Sequence, residues 1–218
     1  MKFERRDLAN SGTMLERHIL CILVGLSFAT STCGQGIFTL QVGSPPSPPT
    51  PLVNHGDLWR YHKGTNAAQA GWRTIADASL DLTWASGNGG VGYADNANET
   101  SLCQTLLADM TNRYTTIYLR RSFLITNTAD SNLHLSLTMD WDDGFVAYLD
   151  GVEIQRALAP GAAGVEPAYT NVATGLHESS RGNSAPINPP TTYDLGPVGP
   201  ACAGNAHSRN SGTQPGNG

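Results

Sequence analysis

The sequence predicts an all-β fold made of antiparallel strands, and residues 114–156 carry most of that prediction. Apolar side chains at 133, 135, 137 and 139 alternate with polar ones, which is typical of a strand with one buried face. Asp150-Gly151 separates two further alternating runs, and this dipeptide favours a type I′ hairpin turn. The chain carries no long amphipathic helical pattern. Together these features predict an antiparallel sheet that belongs to a sandwich.

The predicted strands follow one another with short turns. Within the central stretch the extended segments are 114–125, 133–139, 145–149 and 152–154, and further strands are expected at 58–61 and 192–195. The glycine-rich segment 85–93 does not end in Gly-Lys-Ser/Thr, so it is interpreted as a turn and not as a phosphate-binding loop.

The N-terminal region has the pattern of an export signal. Residues 19–29 are an uninterrupted apolar run of eleven residues, preceded by Arg17 and His18 and followed by small residues. The run is short for a membrane span, so the sequence predicts a signal helix over 1–31 with cleavage near Ser31. A buried core helix is the alternative. The product is expected to be secreted or at the cell surface, with no membrane span after cleavage; lipidation of Cys33 is a second route.

The rest of the chain divides by composition. Residues 32–51 are a predicted Pro/Ser-rich linker, 52–196 a β-sandwich domain, and 197–218 a disordered tail. The net charge of the whole chain is −5, from 13 basic and 18 acidic residues, and no basic stripe is present. Nucleic acid is therefore not an expected partner. Three dispersed cysteines remain after cleavage, without a C-x-x-C pair, so no zinc site is expected.

Carboxylates are densest at Asp140, Asp142, Asp143 and Asp150, and the first three of these are the calcium candidates. Several oxygen ligands could hold calcium, and no other cofactor is expected. The twelfth position counted from Asp140 is Gly151, however, so the pattern is not that of an EF-hand loop. The alternative interpretation is turn chemistry, in which these side chains bond to nearby backbone between two strands.

Ligand-binding candidates come from the aromatic and acid–base residues. Trp59, Trp84 and Trp141 could stack on sugar rings, although packing in the core is the competing interpretation. His177 and Glu178 are the other candidates. No Gly-x-Ser-x-Gly, H-E-x-x-H or comparable catalytic spacing accompanies them, so the chain is not expected to be an enzyme.

Two sequence blocks carry a resemblance to a known family. They are Tyr118-Leu119-Arg120-Arg121-Ser122-Phe123 and the run from Asp142-Asp143-Gly144 to Tyr148-Leu149-Asp150-Gly151. Supporting matches are Leu58-Trp59-Arg60-Tyr61, Trp72, Trp84-Ala85-Ser86-Gly87, Gly90-Val91-Gly92-Tyr93, His177-Glu178-Ser179 and Tyr193-Asp194-Leu195-Gly196. In this order, over residues 52–196, they resemble the galactose-binding-like β-sandwich, a jelly roll. It is similar to the sugar-binding domain of β-galactosidase-type glycosidases and to modules of large secreted bacterial multidomain proteins.

The resemblance implies a non-catalytic module that attaches to a glycan or packs against a neighbouring domain. Affinity would come from loops at 92–112 and 157–190. Two alternatives stay open: an N-terminal accessory fragment of a secreted hydrolase or phosphoesterase whose catalytic domain is absent from this chain, and a structural spacer. The resembling modules continue after Asp-Leu-Gly into an apolar strand, which residues 197–218 do not supply. The sequence therefore predicts a truncated fragment whose sandwich lacks its last strand.

Overall fold

The computed structural model describes residues 16–25, 37–43, 49–94, 96–101, 103–125, 133–180 and 188–197. Within them it is an all-β sandwich of two antiparallel sheets, as predicted. The larger sheet contains β1 (Glu16–Gly25), β4 (Leu58–Lys63), β5 (Ala85–Asn88), β8 (Thr116–Ile125), β10 (Gly144–Leu149) and β11 (Val152–Ala157). The smaller contains β2 (Ile37–Gly43), β3 (Thr50–Val53), β9 (His134–Asp140) and β12 (Thr191–Pro197).

The order of strands is β11-β10-β1-β8-β4-β5 in the larger sheet and β12-β9-β2-β3 in the smaller one. A short parallel pair is formed by β6 (Val91–Gly92) and β7 (Thr105–Leu106). Helical structure in the described residues is limited to one turn of α-helix, α1 (Ala97–Thr100), and a 3₁₀ turn at Asp77–Ser79. No helix among the described residues has the length and apolar character needed to cross a bilayer.

Residues 19–25 of the N-terminal apolar run belong to a central strand, so the described part of the predicted signal segment, residues 16–25, is strand and not helix. β1 pairs antiparallel with β8 from Glu16↔Ile125 to Gly25↔Thr116, and with β10 from Leu20↔Leu149 to Gly25↔Gly144. Leu20 and Ile22 enter the core between the sheets, whereas Cys21 and Leu23 enter a second cluster on the opposite face. A strand buried on both faces is apolar at consecutive positions, so its pattern does not differ from that of a signal segment.

Part of the predicted linker is also strand. β2 pairs along its length with β9, and Leu40 is fully buried between the sheets. β3 lies at the edge of the smaller sheet, where Pro51 is tolerated because an edge position does not require its missing N–H. Both β2 and the first two residues of β3 therefore lie within the predicted linker 32–51.

The predicted hairpin between β10 and β11 is confirmed. Asp150 and Gly151 have φ angles of 50° and 85°, and the positive sign at both positions is what a type I′ turn requires. Every residue of β10 is buried, as expected for a strand covered on both faces. The predicted strands at 58–61 and 192–195 are β4 and β12. Residues 198–218, most of the predicted tail and missing-strand region, lie outside the described residues, as does Cys33.

Loops form a third layer over the outer face of the larger sheet. Arg120, fully buried on β8, donates to the carbonyl of Trp72 and, at 2.7 Å, to that of Ile75. Its guanidinium also forms a 2.8 Å ion pair with Asp77. A buried cation thus satisfies loop carbonyls that would otherwise face an apolar surface. This contact holds the segment between β4 and β5 against the sheet.

We expect Arg120→Met to lower the free energy of unfolding by at least about 2 kcal/mol, because two loop carbonyls would lose charged donors. The control is Arg121→Met. Arg121 is partly exposed and bonds to Leu58 and Asp57, so its loss should cost below about 1 kcal/mol. Urea denaturation of both variants measures the difference. Equal losses would show that the Arg120 contact does not hold the loop layer.

A second prediction concerns the clamp on the start of β1. Asp150 accepts the Ile19 N–H at 2.9 Å and lies 2.8 Å from His18 Nδ1, while its own N–H donates to the Ile19 carbonyl. Burial alone would raise the pKa of Asp150, but the bonds from His18 and Ile19 outweigh it and lower that pKa below its ordinary 3.8. A depressed carboxyl pKa adds stability above the unfolded value, and this stability is lost as pH falls through the folded value.

Asp150→Asn keeps the acceptor oxygen and suits the turn but removes the charge. We therefore expect the wild type to exceed this variant in unfolding free energy near pH 5.5, and the gap to close as pH falls below about 4. The gap should stay within about 1 kcal/mol because the Asp150 side chain is 45% exposed. Denaturation between pH 3 and pH 6 tests this, and a gap that does not change with pH would contradict it.

Candidate functional site

Most of the candidate residues predicted from the sequence lie in two regions of the structure. The first is the turn between β9 and β10 together with the segment 176–180. The second is the loop layer on the outer face of the larger sheet. Trp59 belongs to neither region, because it lies on β4 in the core between the sheets and is 1% exposed.

At the first region, buried carboxylates tether a loop. Asp140, at the end of β9, accepts the Ser180 N–H at 2.8 Å and the Ser180 hydroxyl at 2.6 Å. Asp143 accepts the His177 N–H at 2.9 Å. Both carboxylates are almost fully buried, so these charge-assisted bonds are strong. They hold the segment 176–180 on the turn.

An aromatic stack completes this junction. The rings of Trp141 and His177 lie parallel, with 4.0 Å between centroids and 7° between planes. His177 Nδ1 is also 3.0 Å from the Trp141 carbonyl, so two contacts fix the imidazole. Phe145 and Tyr193 pack against Trp141 from the core. Glu178 follows, and its carbonyl accepts bonds from Asn188.

Trp141 is therefore a packing residue in this structure. It is 4% exposed, and His177 covers the ring face that a sugar would need. The same holds for Trp84, which is also 4% exposed. Stacking on a sugar requires an exposed ring face. In the described structure none of the rings of Trp59, Trp84 and Trp141 has one. The competing interpretation of these residues, packing, is what the structure shows.

The predicted calcium candidates lie close together, but their geometry is that of a loop anchor. Among the described residues no group of three or more His, Cys, Asp or Glu side chains could hold a metal ion. Asp140 and Asp143 direct carboxylate oxygens at Ser180 and His177. Burial lowers the pKa of nearby His55, and the Asp140 charge opposes that shift only in part. Asp140 and Asp143 therefore bond to a distant loop, and not to the nearby backbone that the turn interpretation expects.

The second region is an aromatic cluster on the outer face of the larger sheet. Trp72 packs edge-on to Tyr118 and Tyr148, at centroid distances of 5.2 and 6.2 Å, and is stacked with Trp84 at 5.8 Å. Burial, followed by the Glu166 charge, raises the pKa of Tyr118 to about 12 and that of Tyr148 further. Both phenols therefore stay neutral at physiological pH, and neither can act as a general base there.

A polar rim closes this cluster. Glu166 accepts the Trp72 indole N–H at 3.1 Å, and Arg73 Nε lies 3.5 Å from the same carboxylate. The Arg73 guanidinium sits 4.6 Å above the centre of the Tyr148 ring, a cation–π contact. These contacts pin the loop containing Glu166 to the loop containing Trp72.

An apolar cleft lies beside the cluster, where the 158–173 loop crosses the end of β10. Its cavity volume is about 20 Å³. The lining residues are Leu23, Thr116, Gly144, Phe145, Val146, Leu158, Ala159, Pro160, Pro167, Ala168, Asn171, Val172 and Ala173. Thr116 and Asn171 supply the only polar side chains in that lining, so the cleft suits an apolar group.

Two exposed leucines lie on the loop that crosses this cleft or follow it in sequence. Leu158, which lines the cleft, is 37% exposed, and Leu176 is 62% exposed. Leu158 lies against Gly175, where an added Cβ would be 3.4 Å from its side chain, and its carbonyl accepts the Thr174 N–H at 2.7 Å. Its φ of 47° is uncommon for a bulky residue, and such strain is concentrated at functional positions. The sequence placed affinity in the 157–190 loop but did not single out these leucines.

No protein-family model, curated protein or solved structure matches the chain. Function is therefore inferred from the contacts of the described residues.

The loop-anchor account of the aspartates makes a third prediction. Asp143→Ala should lower the free energy of unfolding by about 1–2 kcal/mol, because the partly buried His177 N–H loses its acceptor. Asp143→Asn is the matched control, since the amide oxygen can accept the same bond, and it should cost much less. A chelator should leave the melting temperature of the wild type unchanged. A chelator-induced fall that Asp143→Asn abolishes would instead identify a bound cation.

Proposed function

We propose that this chain is a non-catalytic β-sandwich module that docks onto a neighbouring protein domain through the surface around Leu158 and Leu176. The observation that carries the proposal is the apolar cleft lined by the partly exposed Leu158, whose side chain lies against Gly175, the residue before the exposed Leu176. Fully burying an exposed leucine is favourable by roughly 1.5–3 kcal/mol, and Leu176, the more exposed of the two, can contribute the larger part of such a gain.

The chemistry of the cleft favours a protein partner over a glycan. A volume of about 20 Å³ admits one methyl-sized group and not a sugar ring. Sugar recognition also needs several convergent polar groups beside an exposed aromatic face, and the lining supplies only Thr116 and Asn171. A terminal methyl group of an aliphatic side chain of the partner fits both the size and the polarity of this site.

Other features agree with a docking role. Asp140, Asp143, Glu166 and Arg73 fasten the loops that carry the surface, so the surface is formed before the partner arrives. The resemblance to modules of secreted multidomain proteins supports the same role.

A fourth prediction is that the full chain binds peptides and not glycans, which two parallel screens can test. Peptides selected from a displayed library on the immobilised wild type should share one fixed aliphatic position. Their affinity should fall at least about tenfold for Leu176→Asp, because a carboxylate then faces the buried aliphatic group. Leu82→Asp is the control, since Leu82 is fully exposed on a different loop and should not affect binding.

A glycan array probed with the same three proteins separates the rival function. Docking predicts no saturable glycan signal. Glycan binding that survives Leu176→Asp would contradict the proposal, and so would peptides that bind the wild type and Leu176→Asp equally well.

A further inference from the structure

The larger sheet is continuous only because β1 lies between β8 and β10. β1 runs antiparallel to both β8 and β10, so β8 and β10 are parallel to each other and separated by one strand width. The chain passes from β8 to β10 through β9, which belongs to the other sheet. Without β1 the larger sheet would divide into β11-β10 and β8-β4-β5, each with an unpaired inner edge.

The residues of β1 also meet the physical requirements of an export signal. The apolar run begins at Ile19, follows Arg17 and His18, and leads into small residues near Ser31. A molecule cleaved near Ser31 no longer carries β1. In any one molecule, the β1 residues can therefore be either a central strand or part of a removed signal, but not both.

We propose that the position between β8 and β10 is a strand-binding slot, filled by Glu16–Gly25 in the uncleaved chain and by an extended apolar segment of another polypeptide once that segment is removed. Addition of a strand to exposed sheet edges is an established mode of peptide recognition, with main-chain bonds giving affinity and side-chain positions giving specificity. Here two edges flank one slot, so the incoming strand is bonded on both sides.

The contacts of β1 define what the slot accepts. Leu20 and Ile22 occupy large apolar positions in the core between the sheets. Cys21, between them on the opposite face, lies in register with Arg120 and Tyr148, and its Sγ is 3.7 Å from the Arg73 carbonyl. The fully buried neighbours at that position leave room for a small side chain only.

The entrance of the slot adds a polar requirement. The Asp150 carboxylate accepts the main-chain N–H at position 19 and contacts the imidazole of His18. It therefore favours a cationic or imidazole side chain one residue before that N–H. The structure assigns to the slot a segment that reads cation or imidazole, any residue, large aliphatic, small, large aliphatic, aliphatic.

The test begins from the folded full chain. A specific protease site is inserted after Ser31 and cut under native conditions. The proposal predicts that fragment 1–31 and the remaining chain elute together in gel filtration. A fluorescent peptide of residues 16–25 is then added just below the melting transition of the cut chain, where release of the fragment is fast enough to permit exchange.

The wild-type peptide and its Cys21→Ala variant should enter the slot. A Cys21→Trp peptide should bind at least about tenfold more weakly, because overpacking a buried position is destabilising. Three results would overturn the proposal: release of fragment 1–31 with no change in the melting temperature of the rest, no uptake of the wild-type peptide, or equal uptake of the Cys21→Trp peptide. A complex of one cut and one uncut chain would show that a second copy of this chain donates the strand, and it would overturn a donor of different sequence.

Discussion

The double pairing of Glu16–Gly25 is the constraint on which the sandwich depends. A central strand satisfies the backbone groups of both neighbours, and β1 does this for β8 along its whole length and for β10 over six residue pairs. Its side chains also join two apolar clusters on opposite faces of one sheet. Loss of this strand would remove packing from both clusters and expose two sheet edges, which invite pairing with other chains.

The loop layer depends on that sheet in turn. Arg120 reaches from β8, directly opposite Cys21, to the carbonyls of Trp72 and Ile75. Trp72 then bonds to Glu166, which brings the 158–173 loop over the sheet and forms the apolar cleft. Contacts therefore run from the central strand to the proposed docking surface. Arg120 is fully buried, whereas the Arg73 and Glu166 side chains are 31% and 28% exposed, and a network anchored in this way suits a preformed binding surface.

Local patterns predicted the elements whose neighbours in sequence are also their neighbours in space. The β10–β11 hairpin was predictable because Asp150-Gly151 determines the turn and the alternation determines the faces. β1 and β2 were not. Both partners of β1, and the β9 partner of β2, lie 91 to 129 residues further along the chain, and the apolar run of β1 has no period. The burial of Trp59, Trp84 and Trp141 depends equally on distant residues: the face of Trp141 is covered by His177 of a later loop. Leu158 and Leu176 carried no sequence signal, because an isolated leucine in a loop is ordinary until its exposure is known.

Native-state amide exchange of the full chain tests the central role of β1 most directly. The account predicts that the amides of residues 20–23 exchange only through global unfolding, at the same free energy as those of Leu119 in β8 and Ala147 in β10. Rapid exchange at residues 20–23 beside protected β8 and β10 amides would contradict it, because the sheet would then hold together without its central strand.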